Sequence, residues 1–233
     1  MNPLRLKPVT RAVFFDIDFT LIHPGPAFQG SGYREACAAH GVTVDEEAFE
    51  RAVNFAARTL DASGGPFDPE VFVDYTCQII QGMGGTGGAV RAAARDIYDR
   101  WAACDHFTLY EDVPDVLRSL HVAGMKIGLI SNTQRCLVSF QRHFDLDGLF
   151  AVTISSADHG FMKPHPSIFA AGLRALGMTA AESVMVGDSL AHDIEGARRM
   201  GMRAVLVARS GLPGPAPAGV PVIQSLRELP PLL

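Results

Sequence analysis

Several features are scarce in this sequence, and each scarcity removes a class of protein. Cysteine occurs four times in 233 residues, at Cys37, Cys77, Cys104 and Cys136, with no CxxC pair. Thiols spaced this way form neither a disulfide framework nor a zinc cluster. Reduced, mostly buried thiols in a cytoplasmic protein are therefore expected. There is no run of about 18 apolar residues, so no membrane-spanning helix is expected. Basic residues number 20 against 25 acidic ones, for a formal net charge of −5, the wrong sign for a nucleic-acid footprint. The N-terminal "MNPLRLKPVTR" is basic, but the apolar run behind it carries Asp16 and Asp18. A signal peptide does not tolerate charges there. No internal repeat is present.

Apolar residues are plentiful, at 48% against 19% charged, enough for one sizeable core domain and a smaller inserted one. Short apolar runs recur: "AVFFDID" at 12–18, "KIGLIS" at 126–131, "AVTIS" at 151–155, "SVMVGD" at 183–188, "RAVLVA" at 203–208 and a weaker "VPVIQS" at 220–225. Runs this apolar suit parallel strands covered on both faces. Between them, "VPDVLRSLHVAG", "TQRCLVSFQRHF", "HPSIFAAGLRALG" and "LAHDIEGARRMGM" carry apolar residues at helical spacing, and Gly124, Gly177 and Gly201 read as helix stops. The alternation predicts an α/β fold with a doubly wound, Rossmann-like parallel sheet.

One gap interrupts it. From residue 23 to about 110 no strand signal appears, while "YREACAAHG", "DEEAFERAVNFAARTLDA", "DPEVFVDYTCQIIQGM" and "GAVRAAARDIYDRWAAC" all read as helices. An inserted all-helical domain over 24–109 is expected, with 1–23 and 110–233 forming the α/β core. "GMGGTGG" lacks both the preceding strand and the Lys-Ser/Thr of a phosphate loop, so it reads as a turn between helices. "GLPGPAPAGVP" reads as a Pro-rich loop before the last strand.

The stretch "FFDIDFTLIH" sets two carboxylates, Asp16 and Asp18, in an otherwise apolar run. A carboxylate in such a setting needs a metal, a cation or a proton. Ligands of a parallel sheet bind beyond the carboxyl ends of its strands, and the polar residues gather there. Asp16 and Asp18 end the first run, Ser131-Asn132-Thr133 the second, and Gly187-Asp188 another, with Asp193 close behind. Lys163 follows the "AVTIS" run. Aspartates at strand ends also serve as turn formers and helix caps, but four segments converging on one rim argue for a site. Such a set suits phosphate-ester chemistry: a carboxylate nucleophile, a second carboxyl for proton transfer, hard oxygen ligands for a divalent ion, and a lysine for the phosphoryl charge.

The order DxDxT, S/T-N-T, K-P, GDxxxxD resembles the haloacid dehalogenase-like (HAD) superfamily of phosphohydrolases over nearly the whole chain, and the helical insertion resembles that family's cap. The resemblance implies Asp16 as nucleophile, Asp18 as general acid/base with its carbonyl on the metal, and Thr20 as loop support. It also implies Ser131 and the Asn132 amide on the phosphoryl oxygens, Lys163 on the phosphoryl group and Asp16, Asp188 on Mg²⁺, and Asp193 as a positioning carboxylate. Phe19 departs from the usual glycine before Thr20.

A Mg²⁺-dependent phosphatase of a small phosphorylated metabolite, working through an aspartyl-phosphate, is expected. A haloacid dehalogenase has no use for Asp18 and Asp188. A phosphosugar mutase shares the motifs. A non-enzymatic phosphoacceptor signalling domain is about half this length and has no helical insertion. His23, Tyr33, Arg34 and Arg58 are candidate contributors from the insertion or its entrance, while His165 and His192 are not expected to be catalytic. The substrate is not readable. Phosphoglycolate and small sugar phosphates fit a capped site in general.

Overall fold

The computed structural model describes residues 9–61, 64–212 and 216–233. The signal-peptide question at residues 1–8, Ala62 of the second predicted insertion helix and residues 213–215 of the Pro-rich loop lie outside them. Strand β1 (Ala12–Phe15) is the centre of the molecule, with every residue fully buried. Its side chains alternate: Val13 and Phe15 enter one apolar cluster, Ala12 and Phe14 the other, as the period of two requires. Both sheet faces are therefore covered, which is why the run is continuously apolar.

After β1 the chain forms β2 (Ile22–Pro24) and then four helices, α1 (Gly30–Ala39), α2 (Phe49–Asp61), α3 (Pro69–Gly82) and α4 (Val90–Trp101). It returns through β3 (Phe107–Leu109). The remainder alternates: α5 (Val113–Val122), β4 (Lys126–Ser131), α6 (Leu137–His143), β5 (Val152–Ser155), α7 (Ser156–His159), α8 (Pro166–Leu176), β6 (Ser183–Gly187), α9 (Gly196–Arg199), β7 (Arg203–Val207) and β8 (Val222–Ile223). The main sheet is parallel throughout, in the order β5-β4-β1-β6-β7-β8. Helices α5 and α6 pack on one face, α8 and α9 on the other. The fold is the doubly wound α/β architecture expected: from β1 the chain runs outward through β4 to β5, then crosses back to β6 on the other side of β1 and continues outward through β7 to β8. That switch point opens a crevice at the carboxyl ends of β1, β4 and β6.

Several boundaries differ from the sequence reading. The first strand stops at Phe15, because from Ile17 the chain turns. Leu21 and Ile22 donate back to the Ile17 carbonyl at 2.8 and 3.1 Å. A short antiparallel pair, β2 with β3, joins the ends of the helical insertion. It is too brief to leave a period-two signal. Helix α6 begins only at Leu137, because "SNTQR" is spent on the rim. "LAHDIEGARRMGM" opens as a π-turn over Leu190–Glu195 before α9. The final strand is two residues long, not six. Gly124, Gly177 and Gly201 end helices at φ of 78°, 61° and 78°, as the stop signals anticipate. "GMGGTGG" is the α3–α4 turn. Cys37 and Cys104 are buried, Cys77 is half-buried and Cys136 is exposed, all four free. Among the described residues no helix is long and apolar enough to cross a membrane.

At the neck between insertion and sheet, Phe28, Trp101 and Phe107 pack mutually, with ring centroids 4.4, 5.0 and 5.3 Å apart. The insertion also reaches the sheet domain at a third point. Phe67 N donates to Gly160 O at 2.9 Å and Met162 N to Gly65 O at 3.0 Å. This strap joins the α2–α3 loop to the segment just before Lys163.

Candidate active site

Asp16 follows β1 directly, its amide held by Val186 O at 2.9 Å. Lys163 comes from the loop before α8. Its side chain is buried, and Nζ donates to Asp16 Oδ1 and Asp193 Oδ1, each at 2.6 Å. Burial alone pulls the Lys163 ammonium down, but Asp16 and Asp193 more than offset it, so it is held above its ordinary range. Its main chain is clamped by Asn132: Asn132 Nδ2 donates to Lys163 O at 2.9 Å, and Lys163 N donates to Asn132 Oδ1 at 2.6 Å. The Asn132 side chain thus positions the lysine.

Asp193 is buried on the π-turn. Its Oδ2 accepts from Ser189 N at 3.0 Å, so both its oxygens are occupied. A methyl group on Gly187 would overlap this carboxylate, which explains glycine at the end of β6. Asp188 is half-buried, with Thr20 Oγ1 at 3.5 Å from Oδ1. One carboxylate oxygen from each of Asp16, Asp188 and Asp193 lies within 4.8 Å of the others. Burial pushes the Asp188 carboxyl well above the usual range, and Asp16 and Asp193 add to it. Burial likewise raises Asp193, against the opposing pull of Lys163. Three carboxylates here face a single lysine. This excess negative charge on oxygen donors fits a hard divalent cation such as Mg²⁺. One oxygen from each of Asp16, Asp188 and Asp193 could serve such an ion, with both Asp193 oxygens also accepting from Lys163 and Ser189.

Asp18 lies across the rim. Arg135 Nη1 donates to its Oδ1 and Oδ2 at 3.1 and 3.3 Å, Nη2 donates to Trp101 O at 2.9 Å, and the guanidinium sits 4.6 Å from the centroid of Phe107. Burial raises the Asp18 carboxyl above its usual range; Arg135 opposes this and Asp16 reinforces it. Arg135 carries no signal in sequence. It lies outside every motif, and its tie to a residue 117 positions earlier exists only in three dimensions. The same holds for Arg209, which pairs with Asp112 at 2.6 Å and donates to Thr20 O at 2.7 Å.

Phe19 adopts φ of 61°, the left-handed region where glycine is at ease. Its ring lies 6.4 Å from Trp101, so the aromatic braces the insertion. Ser131 is buried and lines, with Asp16, Asp18, Asn132, Lys163 and Asp188, a cavity of about 350 Å³ that runs up into the helical insertion. Tyr33 lines it too. Arg34 does not and pairs with Glu46 at 2.7 Å; Arg58 does not line it, and His23 packs on Tyr110 instead. His165 caps α8 and His192 lines the cavity.

The chain is similar to several known proteins. Haloacid dehalogenase-like hydrolase domain-containing protein 3 of Bos taurus is 28% identical over 235 residues, covering 94% of this chain and 88% of its own length. Glyceraldehyde 3-phosphate phosphatase of Pyrococcus furiosus is 27% identical, covering 84% and 79%. The crystal structure of a HAD phosphatase from Thermococcus onnurineus superposes with a TM-score of 0.66 at 26% identity, covering 96% of this chain and 97% of that one. A family model described as haloacid dehalogenase-like hydrolase matches residues 10–201, and with that span taking in β1, β4, β5 and β6, the insertion and all four rim segments, the chain belongs to the haloacid dehalogenase-like hydrolases.

Proposed function

We propose that this hydrolase is a Mg²⁺-dependent phosphatase of a small phosphorylated metabolite, acting through an aspartyl-phosphate on Asp16, with residues 24–109 as a helical cap over a core of 1–23 and 110–233. The observation that carries the reading is Lys163 Nζ held 2.6 Å from both Asp16 and Asp193 beside a second acid, Asp188. Relatives named as phosphatases support it. The Asp16 and Asp188 carboxylates and the Asp18 carbonyl would hold Mg²⁺, which supplies Lewis-acid screening between anionic substrate and anionic nucleophile.

Asp16 attacks phosphorus, and the bond to the ester oxygen breaks as Asp18 gives that oxygen its proton. Ser131, the Asn132 amide and Lys163 hold the phosphoryl oxygens. Asp18, now a base, takes a proton from water, which attacks phosphorus and returns Asp16 as a carboxylate. Thr20 supports the motif loop and Asp193 orients Lys163.

A dehalogenase would leave Asp18 and Asp188 without a task, and a receiver-type signalling domain would leave the cavity without one. The deciding experiment measures p-nitrophenyl phosphate hydrolysis with Mg²⁺, with chelator, and after Mg²⁺ is restored, alongside rapid-quench mass spectrometry of wild type and Asp16→Asn. Activity should vanish with chelator and return with Mg²⁺, and a phosphoryl adduct should map to Asp16 only. Full activity in excess chelator would sink the metal assignment, an adduct elsewhere the nucleophile. Phosphoryl transfer to a sugar acceptor in place of water would make the chain a mutase.

A further inference from the structure

The cavity above the rim has a chemical character that the catalytic residues do not dictate. Its insertion-side wall is built from Phe49, Val53, Phe72, Ile79, Ile97 and Trp101. The polar groups of that wall are uncharged, except Glu50. Among the described lining residues Lys163 is the only lysine or arginine, and its ammonium is committed to Asp16 and Asp193. None of the insertion's arginines is among the described lining residues, and Arg34, Arg91 and Arg100 pair instead with Glu46, Asp74 and Asp96.

A second anionic group on the substrate would therefore lose its water against a mostly apolar wall, with no uncommitted lysine or arginine among the described lining residues to meet it and Glu50 to repel it. An unpaired buried carboxylate is strongly disfavoured. An apolar group in the same place gains about fourfold in affinity for each methylene buried. The volume, about 350 Å³, matches a ligand of several carbons. Resting on the phosphatase reading, we infer that the substrate is a phosphate monoester of an uncharged, predominantly apolar alcohol, alkyl or aryl, whose body sits against Phe49, Phe72 and Trp101. Phosphorylated carboxylic acids and bisphosphates are poor ligands, phosphoglycolate included.

Non-hydrolysable phosphonates test this without turnover. The Mg²⁺-loaded protein is titrated calorimetrically with methylphosphonate, n-hexylphosphonate and 6-phosphonohexanoate. The hexyl compound should bind about tenfold or more tighter than either of the others. Val53→Lys, a half-buried position on α2, should cut that hexyl-to-carboxylate ratio about tenfold or more by supplying the missing cation. The wild-type comparison stands even where that variant fails to fold. Equal affinity for methyl and hexyl compounds, or tighter binding of the carboxylate, would overturn the inference. Turnover of p-nitrophenyl phosphate without the hexyl preference overturns it and leaves the phosphatase reading intact. Absence of turnover with every phosphate ester overturns both.

Discussion

At the scale of single residues, the two carboxylates of "DID" have different surroundings, and these predict different losses. Asp16 faces Lys163, while Asp18 faces Arg135 and is raised by burial. Asp18→Asn should lose roughly 10²–10⁴-fold on an alkyl phosphate, the usual worth of proton transfer to a leaving group. With p-nitrophenyl phosphate the first step should suffer less, and phosphorylated Asp16 should accumulate, as quench-flow mass spectrometry reads directly. Equal losses on both substrates with no trapped adduct would contradict this division of labour. Gly187 lies outside the chemistry but allows the close approach of Asp193. Gly187→Ala must displace Asp193 and with it the Lys163 ammonium. Misplacement of about 1 Å costs on the order of 10²-fold in rate, so kcat should fall by about that factor while the circular dichroism spectrum stays native. Wild-type kcat in the alanine variant would show that the Asp193–Lys163 contact is not needed.

Among the elements, the loops after β3 and β7 and the C-terminal turn meet at one buried acid. Asp112 Oδ2 accepts from Arg209 at 2.6 Å, Ser225 Oγ at 2.6 Å and Leu226 N at 2.7 Å. Arg209 in turn holds the Thr20 carbonyl of the motif loop. Burial pushes the Asp112 carboxyl up, but these donors together outweigh it, and it titrates below its ordinary value of 3.8. A carboxyl lowered by folding contributes stability in full above its unfolded value, and that contribution is lost as pH falls through the folded one. Asp112→Ala removes one partner of a buried ion pair and should cost about 3–5 kcal/mol at neutral pH. Urea unfolding of wild type and variant should show a constant gap above about pH 5, narrowing below about pH 4. A gap that widens on acidification would refute the assignment.

Across the whole molecule, the helical insertion is tied to the sheet domain by the β2–β3 neck and by the strap between 65–67 and 160–162, with Gln134 and Arg135 also donating to Tyr98 and Trp101 carbonyls at the end of α4. If the insertion acts as the proposed cap, opening on the neck as a hinge must break the strap. Binding a phosphate analogue such as vanadate should then slow hydrogen exchange at the Phe67 and Met162 amides, by about tenfold. Cap–core angles should also differ between free and analogue-bound crystals. Unchanged exchange, together with identical angles in unrelated crystal forms, would mean a fixed cap.

The sequence by itself determined the sheet, the insertion and the rim. Runs such as "AVFF" and "SVMVG", short, β-branched or aromatic and alternating with helical patterns, suit a doubly covered strand. Carboxylates, a hydroxyl and an ammonium at the ends of four such segments converge on the switch-point crevice. Local patterning carries that information because side-chain period and strand-end position are properties of neighbouring residues. Only the tertiary structure decided that Arg135 answers Asp18, that Arg209 braces Thr20, that the Asn132 side chain clamps the Lys163 backbone, and that Phe49, Phe72 and Trp101 share one cavity wall. These pairings span tens to hundreds of residues, and a surface arginine and a buried one look alike in a linear chain. Phe19 lies between the two cases. Its departure from glycine is visible in sequence, but the left-handed backbone that makes glycine usual, and the Trp101 ring it braces, appear only once the chain is folded.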